Sequence, residues 1–206
     1  MNYLHPPRKG EALVQSGTAQ VEDASGAYLE TWEHYRAPDG SRLVRIEQTG
    51  AHTRLVHVIL SPTGVLDRLQ VRVSLADGRH EQTYTFFDDS VLIADNRVAG
   101  RQAIPPVQIV LTPFAAVPLW QSPPRGDVSA LVVSAAPGGR LHWEERTLHI
   151  APPETETLTL GGQPIAAHRY TLSGDDFSAT LWLDDAGMLL QAQTPAYTAH
   201  LTRRGW

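Results

Sequence analysis

Apolar side chains recur at every second position through most of this chain, and that alternation commits it to pleated strands with one buried and one solvated face. Val65, Leu69, Val71, Val73 and Leu75 alternate with Leu66, Arg68, Gln70, Arg72 and Ser74 in one long strand. Just before it, Val56, Val58 and Leu60 alternate with Leu55, His57 and Ile59, and Ser61-Pro62-Thr63-Gly64 supplies the turn of a hairpin. Similar runs cover 13–21, 28–36, 42–48, 82–87, 128–135, 140–149 and 156–160. Asp39-Gly40 and Asp77-Gly78 separate neighbouring runs and are turns of the hairpin-forming kind.

One hairpin is written twice. Val58-Ile59-Leu60-Ser61-Pro62-Thr63-Gly64-Val65-Leu66 falls in register with Leu181-Trp182-Leu183-Asp184-Asp185-Ala186-Gly187-Met188-Leu189. The expected fold is therefore all-β: a large curved antiparallel sheet, a spiral β-roll or half-barrel, built from two related halves in one domain over residues 1–206. Parallel βαβ topology lacks the helices it would need. One short helical or loop segment is expected near 104–120, where Val107, Val110, Leu111 and Phe114 have helix-like spacing but Pro105, Pro106, Pro113 and Pro118 limit any helix to a turn or two. It is either a buried plug of the core or a lid over an opening.

With 42% apolar and 19% charged residues the chain can build a packed core, and a net charge of −5 with few adjacent basic pairs argues against nucleic acid as a partner. The absence of cysteine excludes disulfides, thiolate metal sites and a cysteine nucleophile. Residues 1–9 hold no apolar run that could serve a signal peptide, so a cytoplasmic protein is expected, and four prolines within 104–120 argue against a membrane span. The oligomeric state is left open.

No reaction centre stands out. The chain lacks Gly-x-Ser-x-Gly, Gly-x-Gly-x-x-Gly and the P-loop pattern, which leaves a serine hydrolase or a nucleotide cofactor without support. Of nine histidines, only His142 comes near a cluster, sharing a strand face with Glu144 while His149 falls on the other parity; no metal and no cofactor are expected. Asp88-Asp89, Asp175-Asp176 and Asp184-Asp185 all fall at expected turns, where aspartate caps the local backbone.

The aromatic residues are more suggestive. Trp32 shares parity with Tyr28, Glu30 and His34, and Tyr84 with Phe86, Gln82 and His80, giving faces that mix apolar bodies with polar tips. Such faces either fill a core or line a mostly apolar pocket with a few orienting polar groups. The candidate ligand-binding residues are Trp32, Tyr84, Phe86, Phe114, Trp120 and Trp143.

Residues 170–201, with Leu181-Trp182-Leu183-Asp184, the Gly187 turn and a returning strand from Tyr197 to Leu201, resemble bacterial proteins of the spiral β-roll kind. These include the glycolipid-binding family and the lipoprotein-carrier proteins related to LolA. The resemblance implies a concave sheet that takes an acyl chain or another greasy ligand. The expected function is thus non-enzymatic binding of a hydrophobic or amphipathic small molecule, lipid or glycolipid-like, in a sheet-lined cavity. The alternatives are an enzyme using His142, Glu144 or His57 as acid or base in that cavity, and an interaction module that pairs through a sheet edge.

Overall fold

A computed structural model describes residues 9–24, 26–50, 53–63, 65–75, 78–95, 99–104, 108–114, 125–135 and 141–205, and every regular element among them is a strand. In chain order these are β1 (Ala12–Asp23), β2 (Gly26–Arg36), β3 (Arg42–Thr49), β4 (Thr53–Leu60), β5 (Leu66–Leu75), β6 (Gly78–Phe86), β7 (Ser90–Asp95) and β8 (Ala99–Ala103). The second half comprises β9 (Ile109–Leu111), β10 (Gly126–Ala135), β11 (Leu141–Ile150), β12 (Glu154–Leu160), β13 (Gln163–Ser173), β14 (Ser178–Leu183), β15 (Leu189–Gln193) and β16 (Tyr197–Gly205). All sixteen belong to one sheet, ordered β8-β7-β6-β5-β4-β3-β2-β1-β16-β15-β14-β13-β11-β10-β9, with β12 paired to β13 beside that path. The edge strands β8 and β9 do not pair with each other, so the sheet is open and not a closed barrel.

The order of the strands dictates the curl. The first and last strands pair at the middle of the sheet, with Val21 opposite Ala199 and Gln20 opposite His200, and each half runs outward to its own edge. Laid flat, the path would be roughly 65–70 Å wide at about 4.8 Å per strand. Yet only residues 104–108 join one edge strand to the other, and a stretch that short reaches about 20 Å at most. The sheet must therefore coil until its edges approach. Tyr84 of β6 and Trp143 of β11, far apart along the sheet, meet edge to face with ring centroids 5.4 Å apart.

Coiling places β10 inside the roll. Its Leu131 and Val133 join one core cluster, with Trp32, Val44, Val56, Val58, Leu69 and Tyr84 of the first half, while its Val128 and Ala130 join a second cluster, with Leu148, Leu172, Ala179, Leu181, Ala192 and Ala199. All four side chains of β10 are at most 5% exposed. A strand buried on both faces reads as a continuous apolar run, as 130–133 does.

The duplicated hairpin holds at the level of single hydrogen bonds. In the first copy Ser61 N donates to Val65 O at 2.8 Å, and in the second Asp184 N donates to Met188 O at 2.9 Å. The side chain that opens each turn repeats the pattern, because Val65 N donates to Ser61 Oγ and Met188 N to Asp184 Oδ1. Both hairpins also carry a register shift at the same place, between Ile59 and Leu60 and between Trp182 and Leu183. A bulge sharpens local twist, so each copy bends the sheet where its turn begins.

Between β8 and β10 the structure departs from the helical reading. Ile109–Leu111 is a strand, β9, paired in parallel with Ala130 to Val132 of β10. The spacing of Val110, Leu111 and Phe114 reflects burial against two different neighbours, and pairing with β10 satisfies backbone groups that the nearby prolines deny to a helix. Residues 105–107 and 115–120 lie outside the described residues. No helix among the described residues is long and apolar enough to cross a membrane.

Candidate functional site

Two layers of the second half face each other, one made of β9, β10 and β11 and the other of β14, β15 and β16. Where they diverge, a cleft of about 220 Å³ opens, walled by Leu111, Phe114, Val132, Leu181, Leu183 and Leu189. Ala179 also lines it, and a methyl group where its neighbours carry isobutyl groups leaves part of the space unfilled. The volume exceeds the roughly 150 Å³ of an apolar cavity that holds benzene and falls short of the roughly 300–1,000 Å³ of drug-sized pockets. One alkyl chain or one ring fits, and a whole diacyl lipid does not.

Two turns frame the entrance. In the first, Gly174 N donates to Phe177 O at 2.9 Å, and the turn lies so close to β11 that a Cβ on Gly174 would sit 3.0 Å from Thr147 O and 2.9 Å from Leu148 Cδ2. That contact seats Phe177 at the cleft. In the second, Thr194 Oγ1 accepts from Ala196 N and Tyr197 N, which fixes Pro195 and Ala196 at the rim. Tyr197 spans the two layers by donating its hydroxyl to Thr112 O at 3.4 Å.

Charge collects at the mouth. Glu144 and Arg146 of β11 line both the apolar cleft and an adjoining polar depression, whose wall includes Asp127, Glu145, His149 and Asp175. The Arg146 guanidinium binds Asp176 and Glu144 and lies 5.8 Å from the Phe177 ring centroid. Hydrogen bonds to Asp176, then to Glu144, hold the guanidinium above its usual range, and the same contact holds the Asp176 carboxyl below its own. His149 Nδ1 lies 2.8 Å from Asp127 Oδ1.

Behind Tyr197 lies a buried polar cluster. Glu30, fully buried, accepts from Gln48 Nε2 at 2.8 Å, and Arg54 Nη1 donates to Gln48 Oε1 at 3.3 Å. Burial, and next to it the Glu30 charge, push the phenols of Tyr28 and Tyr197 well above their usual range, so both remain neutral in the fold.

Of the six aromatic residues expected to bind ligand, Phe114 lines the cleft. Trp32 and Tyr84 are each 2% exposed in the first core cluster, and Phe86 and Trp143 pack against it half-buried. Trp120 lies outside the described residues. Trp32 is held by Gly17 on the neighbouring strand, where a Cβ would come within 2.4 Å of the ring. The acid–base candidates are dispersed: His57 is buried on β4 opposite Arg45 of β3, His142 is exposed on β11, and Glu144 alone reaches the mouth. No group of three or more metal-ligating side chains gathers among the described residues. The cleft residues passed over by sequence reasoning, Phe177, Leu181, Leu183 and Tyr197, carried only the parity signal common to any buried strand. That they enclose a space depends on which layers meet.

The fold and cleft define a class: an open, coiled β-sheet with an apolar slot between its layers and a charged entrance. No family model matches the chain, and no curated protein matches it. Among solved structures it is similar to a DUF1089 family protein from Pseudomonas aeruginosa, at 11% identity and a TM-score of 0.46, over 95% of this chain and 94% of that one. A likeness of that degree says nothing of ligand or activity.

Proposed function

We propose that the protein is a non-enzymatic binder of an amphipathic small molecule, whose apolar portion enters the interlayer cleft while its polar end stays at the mouth. The observation that carries this reading is the cleft itself: a largely apolar slot between two layers of the roll, with Glu144 and Arg146 at its entrance. Burial of each CH₂ contributes about 0.8 kcal/mol, so an eight-carbon chain gains about 6 kcal/mol before ordering costs. That gain corresponds to a Kd of about 40 μM, which ordering costs weaken toward the millimolar range. A lipid or glycolipid-like ligand satisfies these terms if a single chain engages the slot.

The test is thermal unfolding with octanol and with single-chain lipids below their micelle-forming concentrations. At a hundredfold excess over Kd the expected stabilisation is about 2.7 kcal/mol, a rise of several degrees for a chain of this length. Ala179→Phe, which fills the slot, should retain the fold and lose the response. No rise with any of these ligands, together with no lipid in an organic extract of the purified protein, contradicts the proposal.

A further inference from the structure

We infer that the cleft measures chain length: it takes one straight alkyl chain of up to about ten carbons, and the turn of the second hairpin copy, with Leu183 the last wall residue before it, is the stop. This rests on the binding role proposed above and adds the size of the ligand's apolar portion to it.

The cleft is long because a single strand supplies one wall. Ala179, Leu181 and Leu183 are alternate residues of β14, all at most 5% exposed, and all three belong to the second core cluster and line the cleft. Alternation sets their side chains in one row on one face, and at about 3.3 Å per residue the row from Ala179 to Leu183 is about 13 Å long. Its entrance lies at the Ala179 end, beside Phe177 in the turn that Gly174 begins. At the far end Leu183 pairs with Leu189 of β15, and both line the cleft. Beyond that pair the chain turns, with Asp184 N donating to Met188 O at 2.9 Å and Met188 itself 4% exposed. Asp184 binds Arg204 and accepts from the amides of Ala186 and Met188, so this end wall moves only if a largely buried ion pair parts.

A polar head stays at the entrance, because burying it unpaired costs more than a methylene gains. The chain is thereby anchored at one end and reaches inward by its own length. Carbon–carbon bonds of about 1.5 Å at near-tetrahedral angles advance an extended chain by about 1.25 Å each, so about ten carbons span the row. Each methylene up to that point leaves water, and each one after it must fold back or stay outside.

The experiment is calorimetric titration of the full chain with hexanol, octanol, decanol and dodecanol, each below its solubility limit. Kd should fall by up to about fourfold per added carbon from hexanol to decanol, and dodecanol should bind no tighter than decanol. Leu183→Ala opens the far end of the row and leaves the entrance in place. It should make dodecanol bind tighter than decanol and leave hexanol binding as it was. Should that variant fail to fold, Leu183→Val, which removes one methylene, should do the same by a factor of about four or less. A steady fall of Kd through dodecanol in the wild type, or no gain beyond hexanol, overturns the inference while the cleft remains a binding site. A break that stays at decanol in the folded variant overturns it too, because the stop would then lie elsewhere. If octanol and its homologues do not bind at all, the binding role falls with it.

Discussion

The two halves of this roll are built from the same hairpin but pack their cores differently. In the first half the inner faces of β3, β4 and β5 carry Val44, Ile46, Val56, Val58, Leu69 and Val71 in direct cross-strand register, all at most 3% exposed. Branched side chains of similar size fill a pleated surface densely. The second cluster mixes extremes: Ala19, Ala130, Ala179, Ala192 and Ala199 sit among leucines, with Phe177 and Tyr197 at one end, and its layers part into a cleft there. Along those three strands the side chains match in size, whereas in the second cluster the methyl group of Ala179 near Phe177 leaves a slot. The duplication thus supplies the framework, and small side chains such as Ala179 help to open a cleft in the second half.

The largest effect is expected where a buried charge pair anchors the second copy of the hairpin. Asp184 binds Arg204 at 2.7 Å through Oδ2 while Oδ1 caps Ala186 N and Met188 N, with the two side chains 8% and 13% exposed. Asp184→Ala should cost about 3–5 kcal/mol by urea unfolding, since it deprives a largely buried guanidinium of its carboxylate as well as two turn amides of their acceptor. Ser61→Ala at the matching place in the first copy removes only an exposed hydroxyl and should cost about 1 kcal/mol or less.

Truncation of one leucine in each core sharpens the contrast. Leu69→Ala in the first core cluster should cost about 2–5 kcal/mol, because it opens a void among fully buried neighbours. Leu181→Ala faces a space that already exists and should lie at or below the lower end of that range, while enlarging the cleft.

Alkaline titration distinguishes Tyr35 from the two phenols beside Glu30. Tyr35, on the face of the first half that carries Arg45 and Glu11, is pushed up to about 12 by burial and by its hydrogen bond to Glu33. A raised folded value means the unfolded chain releases the proton first. Its contribution is therefore complete below pH 10 and is lost as pH rises toward 12. Tyr28 and Tyr197 lie higher still, so ultraviolet titration should show these two ionising only together with unfolding.

The smallest effect belongs to the exposed latch at the mouth. Asp176→Asn should leave stability almost unchanged by urea unfolding, because the pair is exposed to water. The Asp176 carboxyl lies below its ordinary value of 3.8, so the latch contributes above that pH and is lost as pH falls through the lower folded value. The wild-type acid-unfolding profile should show a correspondingly small change that the variant lacks.

Strand positions were legible because alternation is local: seven of the expected runs, from 13–21 to 156–160, coincide with β1, β2, β3, β6, β10, β11 and β12 to within a few residues. The repeated hairpin was legible for the same reason, its turn chemistry residing in adjacent residues. β8 was missed because Ala99-Gly100-Arg101-Gln102-Ala103 is an exposed edge with no apolar face to alternate, and β7 because its apolar run, Val91-Leu92-Ile93, is continuous and does not alternate. β9 was read as helix-like because its partner is distant in the chain. The site was less legible than the fold. Trp32 and Tyr84 announce themselves as large aromatics but pack in the first core cluster, and Ala179, whose smallness helps to open the cleft, looks like any other strand alanine. Which layers face each other is fixed by the coil of the whole sheet, and no local pattern encodes that.

Methyl-resolved NMR during titration with octanol compares the halves in a single spectrum. The expected result is saturable shifts of Val132, Leu181, Leu183 and Leu189, with Val56, Val58 and Leu69 unmoved. Shifts confined to the first half, or scattered over the surface without saturation, would contradict a binding cleft between the layers of the second.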